Sequence, residues 1–306
     1  EELTLPGEID VLGPNIFDIS SLKCLHIGHN ARTIAPGAFA KSQLETITID
    51  DTNQFMKTDG RAIFNADGTV MAALAVPCEE YAIPEGCIAI GNKAFSTMAS
   101  MQRAVFPESL EVIGNFALSK TGIERFNAPL NLKVIMEKAF FDCTNLVDIQ
   151  LNEGLKAIGK NAFTSTAIDS LSIPASVERL DYPFAARTAL TYSGPSATFA
   201  LSKDSQNITM DGSGGLYSKR EDGLHLIRML DESTSYYGVA LGTIAIDADA
   251  FANHPSIEEV DLPSSISVIG EAAFKNCHML RRVQITEGLH KIGKEAFLDT
   301  SLESVV

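Results

Sequence analysis

The 306-residue chain has no tryptophan, no Cys-x-x-Cys pair and no apolar run near the length that crosses a bilayer as a helix, roughly 18–20 residues. No helical membrane span is therefore expected. Absence of tryptophan weighs against a sugar-gripping surface, because glycan faces are commonly held by stacked aromatic rings. Basic residues are scarce, 24 Lys and Arg against 39 Asp and Glu, giving a net charge of −15. Nucleic acid is excluded as a partner, since phosphate backbones are held by basic stripes and none is present. Anionic membrane surfaces are disfavoured for the same reason. The five cysteines, Cys24, Cys78, Cys87, Cys143 and Cys277, are odd in number and scattered, which makes neither a disulfide framework nor a zinc site.

Catalytic signatures are missing too. There is no Gly-x-Ser-x-Gly, no phosphate-binding Gly-Lys-Thr and no His-Glu-x-x-His. Asp211-Gly212-Ser213-Gly214-Gly215 is glycine-rich but precedes a strand-like run, so it lacks the helix N-terminus that holds phosphate. Asp247-Ala248-Asp249 and Asp50-Asp51 lack the rest of a calcium loop. His26 and His29 flank a strand end, and His254 and His278 are expected in solvent on variable turns. No catalytic, metal-binding or cofactor-binding residue is assigned, and no cofactor is implied.

What the chain does contain is a repeat. A β-type run, then Ile-Gly, then Ala-Phe recurs at Ala38-Phe39, Ala94-Phe95, Ala139-Phe140, Ala162-Phe163, Ala250-Phe251, Ala273-Phe274 and Ala296-Phe297. Looser copies stand at Ile16-Phe17, Ala117-Leu118 and Pro183-Phe184. Spacings of 21–23 residues separate neighbours over about ten units. Ile-Gly precedes most of them, as at Ile90-Gly91, Ile113-Gly114, Ile158-Gly159, Ile269-Gly270 and Ile292-Gly293. A glycine at fixed phase implies either a positive φ or close approach of the next coil. After each Phe comes an apolar-x-x-apolar-x-apolar run, whose last three positions alternate as in a short strand with one buried face. One unit is too small to fold alone, so neighbours must stack, like residue on like residue.

The phrases Ile83-Pro84-Glu85-Gly86, Ile90-Gly91-Asn92-Lys93-Ala94-Phe95 and Ile269-Gly270-Glu271-Ala272-Ala273-Phe274-Lys275-Asn276-Cys277 resemble the BspA-like leucine-rich repeats of bacterial surface proteins. The resemblance implies an α/β leucine-rich-repeat solenoid, β-dominant, with parallel strands on one side and short helical turns or loops on the other. It also implies that Cys143 and Cys277, three residues after a repeat Phe, point inward. The expected organisation is one solenoid over 1–306 with two β-hairpin-type insertions, at about 50–82 and 187–238. The first is expected to turn at Asp67-Gly68 and the second to contain Gly215-Leu216-Tyr217 and Asp222-Gly223.

Two groups of residues are candidates for binding a partner. Five of the six tyrosines, Tyr182, Tyr192, Tyr217, Tyr236 and Tyr237, lie in or beside the second insertion, and tyrosine is enriched where proteins grip one another. The same rings would equally serve to cover the hairpin. The second group comprises outward strand positions, among them His26, Thr48, Asn127, Gln150 and Asp261, which are small or polar and unlike one another. The resemblance implies a non-catalytic, adhesin-like scaffold, secreted or at the cell surface with its leader removed, binding a host or neighbouring protein. A carbohydrate-binding accessory module and a structural spacer for a further domain are the alternatives.

Overall fold

The structure, a computed structural model, describes residues 1–18, 21–184, 198–285 and 287–305. The chain forms two compact units, Glu1–Pro174 with Gly194–Ala200, and Ala175–Ser193 with Leu201–Val306. Each is a stack of β-coils. In unit 1 the strands of one face pair in parallel: Glu2–Thr4, Cys24–Ile27 and Thr46–Ile49, then Glu80–Ala82 with Arg103–Val105, then Arg125–Asn127 with Asp148–Gln150. In unit 2 the same face carries Tyr236–Gly238, Glu259–Asp261, Arg282–Gln284 and Ser304–Val305. Alternate residues point inward, burying Leu25, Ile47, Tyr81, Phe126, Val260 and Val283.

The Ile-Gly step is itself a strand, which gives each coil a second parallel ladder. In unit 1 it runs through Ala89–Ile90, Val112–Ile113, Val134–Ile135 and Ala157–Ile158; in unit 2 through Thr243–Ile246, Val268–Ile269 and Lys291–Ile292. The glycine after this strand is required by close approach. A Cβ on Gly159 or Gly270 would lie 2.5 Å from the backbone nitrogen of Glu137 or Ala248 in the preceding coil.

Among the described residues no helix is present; the predicted helical turns or loops are turns throughout. The reason lies in the backbone around Ala-Phe. Two residues per coil, two before and two after the Phe, adopt left-handed φ: Lys93 and Thr97, Asn161 and Ser165, Asp249 and Asn253, Ala272 and Asn276. A left-handed residue every fourth position prevents helix propagation. It also aims alternate N–H groups at the next coil. Lys93, Phe95 and Thr97 donate to Asn115, Ala117 and Ser119 at 2.7–2.9 Å, while Ala94, Ser96 and Met98 close turns within their own coil. Asp249, Phe251 and Asn253 donate likewise to Glu271, Ala273 and Lys275. The turn strip is thus a third hydrogen-bonded ladder, and its phase is what stacks the phenylalanines. Ring centroids lie 5.2 Å apart for Phe17–Phe39, 5.4 Å for Phe140–Phe163, 4.8 Å for Phe251–Phe274 and 5.2 Å for Phe274–Phe297.

Each unit contains an antiparallel hairpin, and the two are built alike. In unit 1 Met56–Thr58, Ala62–Asn65 and Val70–Leu74 form an antiparallel meander, turned at Asp67-Gly68, where Gly68 has a φ of 84°. In unit 2 Ile208–Met210, Gly215–Arg220 and Gly223–Met229 do the same. In each, the last strand pairs in parallel with the next coil and so starts the Ile-Gly ladder. The part of the second insertion at 187–197 lies outside the described residues.

Candidate functional site

The outward strand face is the surface each coil leaves unused for packing. In unit 1 the register places His26 opposite Thr48, and His26 Nδ1 lies 2.9 Å from Thr48 Oγ1. Asn127 and Gln150 are likewise register partners and both are exposed. The strand ladder stops between Arg103–Val105 and Arg125–Asn127, where an open cleft of about 620 Å³ is lined by Arg103, Val105, Phe106, Arg125, Asn127 and Pro129. Nothing in the repeat pattern marked this interruption, because both flanking strands keep the normal spacing.

In unit 2 two candidates from different groups meet. The exposed Tyr236 hydroxyl donates to Asp261 Oδ2 at 2.9 Å, and the carboxylate pushes the phenol pKa above its ordinary value. Arg282, opposite Glu259 in the ladder, pairs with Glu259 and lies 3.8 Å from Asp261 Oδ1. The ring of Tyr236, 53% exposed, is therefore held at its far end by a strand-borne carboxylate on the next coil.

The other tyrosines divide differently. Tyr217 and Tyr237, offered by sequence as partner-binding, are each only 2% exposed and are core residues instead. Their hydroxyls lie 2.5 Å apart, and Tyr237 donates to Asp211 Oδ2, whose other oxygen accepts from the backbone N–H groups of Ser213 and Gly215. Burial and the Asp211 charge push the Tyr237 phenol far above its ordinary range. Unit 1 repeats the device: Tyr81 donates to Asp59 Oδ2 at 2.5 Å, while Asp59 Oδ1 caps the N–H groups of Arg61 and Ala62. A strand tyrosine thus pins each meander to the coil that follows it. Tyr182 is half-buried, with its ring 5.4 Å from the Arg228 guanidinium. Tyr192 lies outside the described residues.

One cluster in unit 2 went unrecognised in the sequence. The buried His225 imidazole sits between Asp247, 3.0 Å from Nδ1, and Asp222, 3.1 Å from Nε2, with Arg220 bridging to Asp247 and Asp181. Asp247 had stood out only as half of an Asp-Ala-Asp string. No periodic signal links it to a histidine 22 residues earlier, except that one coil is about that long.

His254, Cys143 and Cys277 are structural, while His278 is exposed, as expected of a turn position. His254, expected in solvent, is buried: Nε2 lies 2.8 Å from the Asp231 carbonyl and Nδ1 accepts from the Ile257 N–H at 3.1 Å, so burial favours the neutral ring. Cys143 and Cys277 point inward and donate to the carbonyls of Leu118 and Phe251 at 3.0 Å. Burial pushes the Cys277 thiol up to about 11, which leaves little reactive thiolate near neutrality. Among the described residues no group of three His, Cys, Asp or Glu side chains is arranged to hold a metal, and no helix is long and apolar enough to cross a membrane.

Stacked 21–23-residue coils, a parallel strand face, an in-register Phe column and inward Cys or Thr three residues later define a leucine-rich-repeat β-solenoid. The chain belongs to the BspA type leucine rich repeat family, whose model matches residues 1–65, 75–190 and 242–306 in six copies. The unmatched stretches are 66–74, inside the first insertion, and 191–241, which overlaps most of the second. The fold is similar to that of pneumococcal vaccine antigen PcpA, with a TM-score of 0.56, 18% identity, and coverage of 79% of this chain and 68% of that one. It is also similar to a leucine rich cell surface protein from Faecalibacterium prausnitzii A2-165, with a TM-score of 0.51, 20% identity, and coverage of 99% of this chain and 80% of that one. A comparison with curated proteins found no match.

Proposed function

We propose that this protein is a non-catalytic scaffold, displayed at the cell surface or secreted, that binds another protein through its outward strand face. The observation that carries this reading is Tyr236: an exposed aromatic ring fixed by Asp261 and bordered by Glu259 and Arg282 on a rigid parallel ladder. A ring already immobilised loses little further freedom on association, and tyrosine and arginine are the side chains that most often anchor protein interfaces. Thr48, Asn127, Gln150 and His26 on the equivalent face of unit 1 extend the reading as further contact positions. Extracellular placement is supported by what the similar proteins are, a vaccine antigen and a cell surface protein.

The test is binding of the purified chain to a panel of extracellular-matrix proteins, with mucin glycans as a parallel arm, read by biolayer interferometry. Saturable protein binding that weakens about tenfold in Tyr236→Ala, equivalent to ~1.4 kcal/mol, is the expected result. Binding that is indifferent to Tyr236→Ala and Arg282→Glu, or confined to the glycan arm, would overturn it.

A further inference from the structure

The polar cluster around His225 contains one donor too many for a single protonation state. A neutral imidazole has one N–H and one lone pair, whereas an imidazolium donates from both nitrogens. His225 has a carboxylate at each nitrogen, Asp247 Oδ1 at Nδ1 and Asp222 Oδ1 at Nε2, which suits the imidazolium. Yet Arg220 Nη1 also lies 3.1 Å from Nδ1, and a guanidinium donates only to an unprotonated nitrogen. Two complete bonding sets therefore share one geometry. In the first, Nδ1–H donates to Asp247. In the second, Nδ1 accepts from Arg220 while Nε2–H still donates to Asp222.

We propose that His225 is a two-state proton switch that fastens the hairpin Gly215–Met229 to the following coil through Asp247 when protonated and releases that bond to Arg220 when neutral. The charged groups facing the ring are Arg220 and Asp222 from the hairpin and Asp247 from the coil after Thr243–Ile246. Asp181 enters through Arg220, 3.3 Å away, and carries Arg179 on its other oxygen at 3.2 Å. Three carboxylates against two guanidinium groups leave room for one more positive charge, which the imidazolium supplies. The Asp247 hydrogen bond raises the imidazole pKa against the opposing effects of burial and the Arg220 charge, and the Asp247 and Asp222 charges add to it.

The functional consequence lies at the hairpin tip. Lys219, Arg220, Glu221 and Asp222, with Asn207 bonded to Lys219 through the backbone, form one wall of a cleft of about 850 Å³ that Glu178 and Arg179 also line. In the protonated state two cations, His225 and Arg220, hold Asp247. In the neutral state Arg220 alone does, so the wall is held less firmly as pH rises. Because the folded-state pKa is raised, the fastening is complete below the ordinary value of 6.5 and is lost as pH climbs through the raised value.

The experiment is nitrogen-detected NMR of the imidazole in the full chain, with amide exchange of Gly223–Met229 corrected for intrinsic rates. Expected are a titration midpoint above 6.5, a high-pH ring carrying its proton on Nε2, and a loss of hairpin protection across that titration which Asp247→Asn abolishes. A midpoint at or below 6.5, a proton on Nδ1 at high pH, or a loss of protection that persists in Asp247→Asn would overturn the switch. Should Asp247→Asn not fold, the unsubstituted chain decides: hairpin protection lost in step with the imidazole titration supports the proposal, and protection indifferent to it sinks it.

Discussion

At the scale of single residues, two positions in one coil make opposite demands on a Cβ atom. Gly270 has no room for one, because the backbone of Asp247 and Ala248 lies against it. Ala272, two residues later, has a φ of 53°, where an L-residue is strained and glycine is not. Gly270→Ala is expected to destabilise by about 1–3 kcal/mol through overpacking. Ala272→Gly is expected to stabilise by up to about 1 kcal/mol, the relief of left-handed strain less the added chain entropy. Urea unfolding of the two variants checks both signs. The histidines offer a second pair of opposites. Burial holds His254 below the ordinary 6.5, so stability falls as pH drops from 6.5 through its folded-state value. His225 adds stability that is present below 6.5 and lost as pH rises through its raised value. Urea midpoints measured from about pH 5 to 9 should flatten on the acid side in His254→Gln and on the neutral-to-alkaline side in His225→Gln.

At the scale of elements, the insertions matter because each interrupts a stack that depends on unbroken phase. Their last strands resolve this by becoming the first rung of the Ile-Gly ladder. The tyrosine–aspartate pins then hold the meander in place: Tyr81 on Asp59, Tyr237 on Asp211. Removing the hydroxyl leaves a carboxylate without its strongest side-chain donor. Tyr81→Phe is expected to cost about 1.5–3 kcal/mol, the range for hydrogen bonds to charged groups, as measured by urea unfolding. Loss of less than a few tenths would mean that Asp59 is satisfied by Arg61 and Ala62 alone. The same element-scale view explains why the sequence does not separate Tyr217 and Tyr237 from Tyr236. Enrichment in a short segment is equally the signature of an interface and of a hydroxyl-bonded core, and only burial separates the two.

At the scale of the whole molecule, stability comes from repetition in phase. Removing residues 119–140, one 22-residue period from Leu118 to Phe140, keeps strand over strand and glycine over backbone. Removing 119–129, half of that span, puts the Val134–Ile135 rung where the outward strand runs and takes Phe140 out of the Phe column. The first deletion is expected to retain a β-type circular dichroism spectrum and a cooperative thermal transition at lower temperature. The second is expected to lose the transition. Two spectra that melt alike would show that phase is not what holds the coils.

The coil length, the Phe column, the strand face, the hairpin insertions and the inward cysteines were all legible in the residues, because each repeats and stacking forces equal positions to meet. The glycine after Ile was legible as special, though not which of two reasons made it so. Three things came only from tertiary structure: the left-handed pair in each coil, the interruption beside Arg103 and Arg125, and the side of the chain on which each tyrosine falls. The first involves Lys, Thr, Ser and Ala as well as Asn and Asp, so residue type does not announce it; hydrogen bonds from the neighbouring coil impose it. The others depend on contacts between residues 20 or more apart that not every coil makes, such as Tyr237 with Asp211 or Tyr236 with Asp261. A period reveals what every coil does, and a pairing made in a single place is decided by the packed chain.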